Sequence, residues 1–289
     1  MSRLGLGTVQ FGLPYGIANQ AGQVSRLEAN AMLKLAAANG IDTLDTAIAY
    51  GDSEACLGEL GTQGFKVVTK LPAVPDDCSE VSDWVKQQVD ASLLRLGVTS
   101  VYGLLLHRSE QLLGTNGATL YRALEILKDN GQVQKFGVSI YSPNELDALI
   151  PKFSFDLVQA PFNLLDRRLY HSGWLQRLKD SNIEVHTRSV FLQGLLIMSR
   201  TDIPAKFKSW SVLWDLWHGW LAECGASSVQ ACLSFPLSFP EIDRVVVGAD
   251  SVSQLAQLLS ATNSPPVIDF PDMQCRDENL INPALWPTL

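Results

Sequence analysis

Asp45, Tyr50, Lys70 and His107 supply a carboxylate, a phenol, an ammonium and an imidazole, each at or just past the end of a short apolar run. Brought together, these groups make a device for handing a proton to a carbonyl oxygen. Singly, each has an ordinary structural reading: Asp45 as a turn residue, Tyr50 as a loop aromatic, Lys70 as a solvated strand end, His107 as a satisfied core histidine. The functional reading rests on their joint placement at successive strand ends. Lys70 also admits a second chemistry, as the Schiff-base nucleophile of a lyase or aldolase.

The elements that must position these residues alternate. Strand-like runs cover residues 4–8, 43–45, 66–70, 101–107, 135–139, 155–160, 184–189 and 244–247, with helix-like stretches between them. Ser25 with Glu28, and Ser251 with Gln254, have the spacing of capping boxes, while Gly40 and the Asp129-Asn130-Gly131 run read as helix stops. Val81, Val85, Val89 and Leu93 recur every four residues beside Trp84 and Leu96, an apolar stripe suited to covering a sheet. Leu120, Ala123, Leu124 and Leu127 repeat the arrangement. Eight strands separated by helices predict an α/β fold, a (β/α)8 TIM barrel forming a single domain over residues 1–289. In such a barrel the polar residues ending the strands, Asp45, Lys70, His107, Ser139, Gln159 and Ser189, converge at one rim. Two irregular stretches, 191–210 and the C-terminal tail 262–289, are long enough to fold over that mouth.

Composition narrows the partners. A formal net charge of −8 and the absence of a Lys/Arg cluster argue against nucleic acid. The longest apolar stretches are only strand-length, and the first residues lack a signal-peptide profile, so a soluble cytoplasmic protein without membrane attachment is expected. Cys56, Cys78, Cys224, Cys232 and Cys275 are scattered, form no C-x-x-C pair and have no His at metal-ligand spacing; they read as reduced thiols, with no metal site. Trp210, Trp214, Trp217 and Trp220, with Leu213, lie at helical spacing, which favours helix packing over a substrate wall. Phe11, Tyr15 and Phe162 follow strand ends and are expected in the pocket wall.

With these residues in view, nearly the whole chain resembles the aldo-keto reductase family. Asp45-Thr-Ala-Ile-Ala-Tyr50-Gly51 is similar to the family's Asp-Thr-Ala-x-x-Tyr-Gly signature. Lys70 ends the third strand-like run and His107 the fourth; further matches are Gly5-Leu-Gly7-Thr8, Gly137-Val-Ser139 and Gln159-Ala-Pro-Phe-Asn163. The resemblance implies an NAD(P)-dependent oxidoreductase that reduces an aldehyde or ketone. In it Tyr50 donates the proton, Lys70 lowers the phenol's pKa, Asp45 holds Lys70, and His107 hydrogen-bonds the substrate oxygen. Its partner is then a small-molecule carbonyl substrate, and homo-oligomerisation is left open.

No G-x-G-x-x-G stands between a strand and a helix, so a Rossmann site is not indicated. The resemblance instead implies NADP or NAD lying across the barrel mouth. Gly7 and Thr8 line it at the first strand. Ser139 and Gln159 approach the carboxamide, while Ser189, Phe191 and Gln193 clasp the pyrophosphate. Gly248, Asp250 and Gln254 face the adenosine ribose. Three positions depart from the family. Ile140 replaces an Asn that would hydrogen-bond the amide. Arg188 replaces the aromatic that stacks on nicotinamide, and is read as stacking there itself, pairing with a substrate anion, or pairing with a nearby protein acid. Asp250 and Ser251 stand where many members carry Arg or Lys for the 2′-phosphate, which favours NAD. The departures also keep in play a non-catalytic module of the same fold that senses nicotinamide nucleotides.

Overall fold

The computed structural model describes residues 2–288; the last residue of the C-terminal tail, Leu289, lies outside them. Eight parallel strands close into a barrel in sequence order: β1 (Leu4–Gly7), β2 (Thr43–Asp45), β3 (Lys66–Leu71), β4 (Val101–Leu106), β5 (Val133–Ser139), β6 (Leu157–Pro161), β7 (Glu184–Arg188) and β8 (Arg244–Gly248). β1 pairs with β8 to complete the ring, with Leu4 opposite Val245 and Gly7 opposite Gly248. The Arg3 guanidinium clasps this seam, donating to the carbonyls of Leu237, Phe239 and Ile242.

Strand period sorts the side chains. On β3, Val67, Thr69 and Leu71 face the helices while Lys66, Val68 and Lys70 share the other face. Val68, Leu105 and Leu157 pack as a small apolar cluster apart from the main core. The main core lies between strands and helices, where the two sequence stripes are buried as expected. Val81, Val85, Val89, Leu93 and Leu96 lie on helix Val81–Leu96, and Leu120, Ala123, Leu124 and Leu127 on helix Gly117–Asp129. Burial of each valine or leucine among them contributes roughly 1.5–3 kcal/mol of gross hydrophobic stabilisation.

Local devices follow the residues. Ser25 caps helix Arg26–Ala38 by accepting from the Glu28 N–H. The expected reciprocal half of the box is missing, because the Glu28 carboxylate instead accepts from the Val252 N–H and ties the first long helix to the last. Ser251 caps helix Val252–Asn263, with the Gln254 amide oxygen accepting from the Asp250 N–H. Glu54, fully buried, is held by Arg95, Thr69 and Ser92. That bonding is possible because Gly58 lets helix Ser53–Leu60 touch its neighbour: a Cβ there would sit 2.0 Å from the Arg95 carbonyl oxygen.

Trp214 and Trp217 are buried on helix Ser211–Cys224, and their indole N–H groups donate to the Phe207 and Leu196 carbonyls, so the tryptophan stripe is packing. All five cysteines are free. Among the described residues no helix is long and apolar enough to cross a membrane, and no group of three or more His, Cys, Asp or Glu could hold a metal.

Candidate active site

At the carboxyl rim, strand ends point their last inward residues at one cavity of about 400 Å³. Asp45, Tyr50, Lys70 and His107 all line it. Lys70 is buried, and its ammonium donates to Asp45 Oδ1 at 2.6 Å and to the Thr46 carbonyl at 2.9 Å. It lies 5.0 Å from the centroid of the Tyr50 ring. The Tyr50 and His107 rings meet edge to face with centroids 6.0 Å apart. Neither the Tyr50 hydroxyl nor the His107 ring makes a hydrogen bond among the described residues. They remain available to a molecule in the cavity.

Electrostatics reinforces this division. Burial alone would lower the pKa of Lys70, but Asp45 and then Tyr50 outweigh it and hold the group above the ordinary lysine value. A clamped ammonium of this kind is a poor Schiff-base nucleophile, which removes the support for the lyase reading. His107 moves the other way: burial first, then the positive charges of Lys70 and Arg188, push it down to about 4. At neutral pH its imidazole is therefore uncharged, with one ring nitrogen able to donate.

Tyr50 sits in the turn after β2, and Gly12 makes its position possible. A Cβ at Gly12 would fall 1.8 Å from the Tyr50 carbonyl oxygen, so only glycine lets the segment after β1 lie against that turn. The Ser53 hydroxyl then joins Thr8 and Thr46 behind it.

The remaining expected site residues divide. Gly7, Thr8, Ser139, Arg188, Ser189, Phe191, Gln193, Gly248, Asp250 and Gln254 line the cavity. Gln159 does not line it. Fully buried, it donates from Nε2 to Asp45 Oδ2 at 2.6 Å and accepts from the Ser139 hydroxyl at 3.3 Å. Its place is behind the tetrad, because the second oxygen of a buried carboxylate needs a donor of its own.

Phe11 and Phe162 are also corrections: both are fully buried, and Phe162 packs on Phe235 and Phe239. Only Tyr15 of the three expected wall aromatics reaches the cavity. Ile140 turns its side chain into the core. Among the described residues Arg188 pairs with no carboxylate; it donates to the Ile140 carbonyl at 2.9 Å and the Ser189 hydroxyl at 3.3 Å, with its guanidinium 4.8 Å from the Tyr141 ring centroid.

Several lining residues escaped the sequence reading. Tyr141, Ala18, Asn19, Ile197, Pro283 and Ala284 come from loops and the C-terminal tail, and no strand-end rule reaches them. Asn19 crosses the mouth to Asp250 at 3.2 Å, and the Ile17 N–H bonds the Gln193 carbonyl, so the loop after β1 bridges to those after β7 and β8. Gln10 also lines the cavity, yet its Oε1 is buried without a partner among the described residues.

Comparison with known proteins places this geometry. Residues 3–272 match the aldo/keto reductase family. Over 249 residues the chain is 26% identical to the uncharacterized oxidoreductase YqkF of Bacillus subtilis, spanning 78% of this chain and 79% of that one. Over 215 residues it is 25% identical to the aldo-keto reductase YhdN of the same organism, spanning 70% of this chain and 62% of that one. The aldo-keto reductase AKR11C1 of Bacillus halodurans, in its holo form, superposes with a TM-score of 0.73 at 21% identity, covering 92% of this chain and 88% of its own. With a family match over nearly its full length and a closed (β/α)8 barrel beneath it, this chain belongs to the aldo/keto reductase family of oxidoreductases.

Proposed function

We propose that this protein reduces an aldehyde or ketone with a nicotinamide dinucleotide, and that Tyr50 supplies the proton. The observation that carries this reading is the division of bonds at the rim. Asp45 is spoken for by Lys70 and Gln159, while the Tyr50 hydroxyl and His107 ring face the cavity, unbonded among the described residues.

A carbonyl oxygen placed between Tyr50 and His107 accepts from both. Uncharged His107 polarises it and fixes its angle without competing as a second acid near neutral pH. As negative charge builds on the oxygen, Tyr50 releases its proton to it, and the Lys70 ammonium offsets the phenolate. Lys70 must stay charged for this, and Asp45 keeps it so.

The nicotinamide, when bound, supplies the hydride. The cavity suits such a molecule at both ends. Ser189, Leu192 and Gln193 hold left-handed backbone (φ 62°, 49° and 53°), each costing about 1 kcal/mol or more. The N–H groups of Val190, Phe191 and Gln193 donate to nothing among the described residues. Strained backbone presenting free N–H groups is the form of an anion nest, fitting a pyrophosphate. At the β8 end the unpartnered Gln10 Oε1 fits a ribose or adenine donor.

Cofactor choice follows from charge. Among the described residues, the lysines and arginines lining the cavity are Lys70 and Arg188, neither at the β8 end, whereas Asp250 stands there. A 2′-phosphate would meet an acid and no cation, so NAD is accepted at least as well as NADP. Fluorescence titration with NADH and NADPH tests this: comparable or tighter NADH binding is expected, and tenfold tighter NADPH binding would overturn it. A panel of aldehydes and ketones with both reduced nucleotides tests the reaction itself.

A further inference from the structure

Among the described residues Arg188 is a cation without a counter-ion, inside the cavity that holds Tyr50 and His107. The carboxylates around it are engaged elsewhere: Asp45 with Lys70 and Gln159, Glu145 with the Tyr141 and Ser142 N–H groups and the Ser109 hydroxyl, and Asp166 with Arg168. A guanidinium offers five donors. Here one goes to the Ile140 carbonyl and one to Ser189, and the Tyr141 ring lies against it. Those contacts fix the orientation of the fork without neutralising it, and a carbonyl acceptor alone needs no charge. Lys70 cancels Asp45, so Arg188 leaves a surplus positive charge at the reacting end of the cavity in a chain of net charge −8. It is near enough to lower the pKa of His107.

Resting on the carbonyl-reduction reading above, we propose that the preferred substrates carry an anionic group, carboxylate or phosphate, and that Arg188 is the residue that holds it. The fork geometry suits two oxygens of such a group, and its half-buried position inside the cavity confines the pairing to a bound molecule. This anchor is distinct from the place of the carbonyl oxygen, which lies between Tyr50 and His107. An anion at Arg188 would fix the far end of the substrate while those two groups take the oxygen.

The test compares matched aldehydes: butanal with succinic semialdehyde for the carboxylate, glyceraldehyde with glyceraldehyde 3-phosphate for the phosphate. Wild type is expected to favour at least one anionic member by tenfold or more in kcat/KM, and the larger ratio identifies the group. Arg188→Met should bring that ratio to about one, whatever happens to absolute rates, and Arg188→Lys should restore part of it. A preference for the neutral members, or a ratio that survives in Arg188→Met, overturns the proposal. Should no aldehyde turn over with either nucleotide, the reaction reading fails, and the anion site is judged alone. Succinate and inorganic phosphate are then titrated into nucleotide-free protein while following the Arg188 Nε–H NMR signal, assigned by its loss in Arg188→Met. A saturable shift supports the site, and a signal that does not move refutes it.

Discussion

The barrel carries the same four kinds of group at both ends, and at the mouth they line a cavity. At the mouth stand Asp45, Lys70, Tyr50 and His107; at the floor stand Glu184, Lys135, Tyr102 and His186. The floor groups all converge on one carboxylate. The Tyr102 hydroxyl donates to Glu184 at 2.6 Å, His186 bonds its other oxygen at 2.8 Å, and Lys135 pairs with it as well. Burial, then the Glu184 bond, pushes the Tyr102 phenol up, making it a still more reluctant donor. At the mouth, Gln159 takes the carboxylate oxygen that the lysine leaves; at the floor His186 takes that oxygen, and the tyrosine shares the lysine's. Residue type is therefore insufficient; what matters is which partner consumes the carboxylate and whether a cavity adjoins the phenol.

Substitutions can break that comparison. Lys70→Met should have the largest effect, because it leaves Asp45 buried without its cation and Tyr50 without its neighbour. Carbonyl reduction should fall about 10²- to 10⁴-fold, and stability by roughly 3–5 kcal/mol in denaturant titration. Retention of both would mean that Gln159 alone satisfies Asp45. Next come the two tyrosines, whose effects should be opposite in kind. Tyr50→Phe should abolish about 10²- to 10⁴-fold of the reduction rate while leaving the melting temperature and nucleotide binding nearly unchanged. Tyr102→Phe should cost about 1.5 kcal/mol of stability, since it deletes a hydrogen bond to a charged acceptor, and little activity. If Tyr102→Phe were the inactive variant, the assignment of the working end would be wrong.

The smallest effect concerns pH. His107 titrates at about 4 in the fold against 6.5 unperturbed, so between those values the unfolded chain binds the proton more readily. Stability from this group is full above about 6.5 and is lost as pH falls toward 4, by on the order of 3 kcal/mol. Wild type should lose more stability than His107→Gln over that window, as read from paired melting curves. Equal losses would place the imidazole in a more solvated setting.

Legibility followed the physics of strands. Strand ends fix where a side chain lies and which way it points, so the positions of Asp45, Lys70, His107, Ser139 and Ser189 were readable from the pattern, whereas Arg188 stood out only against the family it resembles. Gln159 was placed at the correct strand but given the wrong neighbour, because period two says which face a residue takes and not what will bond it there. Asn19, Tyr141 and Pro283 were invisible because loop paths depend on distant contacts such as Asn19 with Asp250. The floor cluster was missed for another reason: charged residues at strand starts look solvated until the ring closes around them.

The seam clasped by Arg3 carries a consequence for how the protein is made. β1 and β8 are partners across nearly the whole chain, so at about 5–20 residues per second of synthesis the first strand waits many seconds for its mate. Until Arg244–Gly248 emerges, β1 and β7 are both bare edges able to template pairing with other chains. The hazard to this barrel during translation is therefore concentrated at its birth, and the loop-entropy cost of the final closure is small beside it, growing by only about 0.6 kcal/mol per doubling of length.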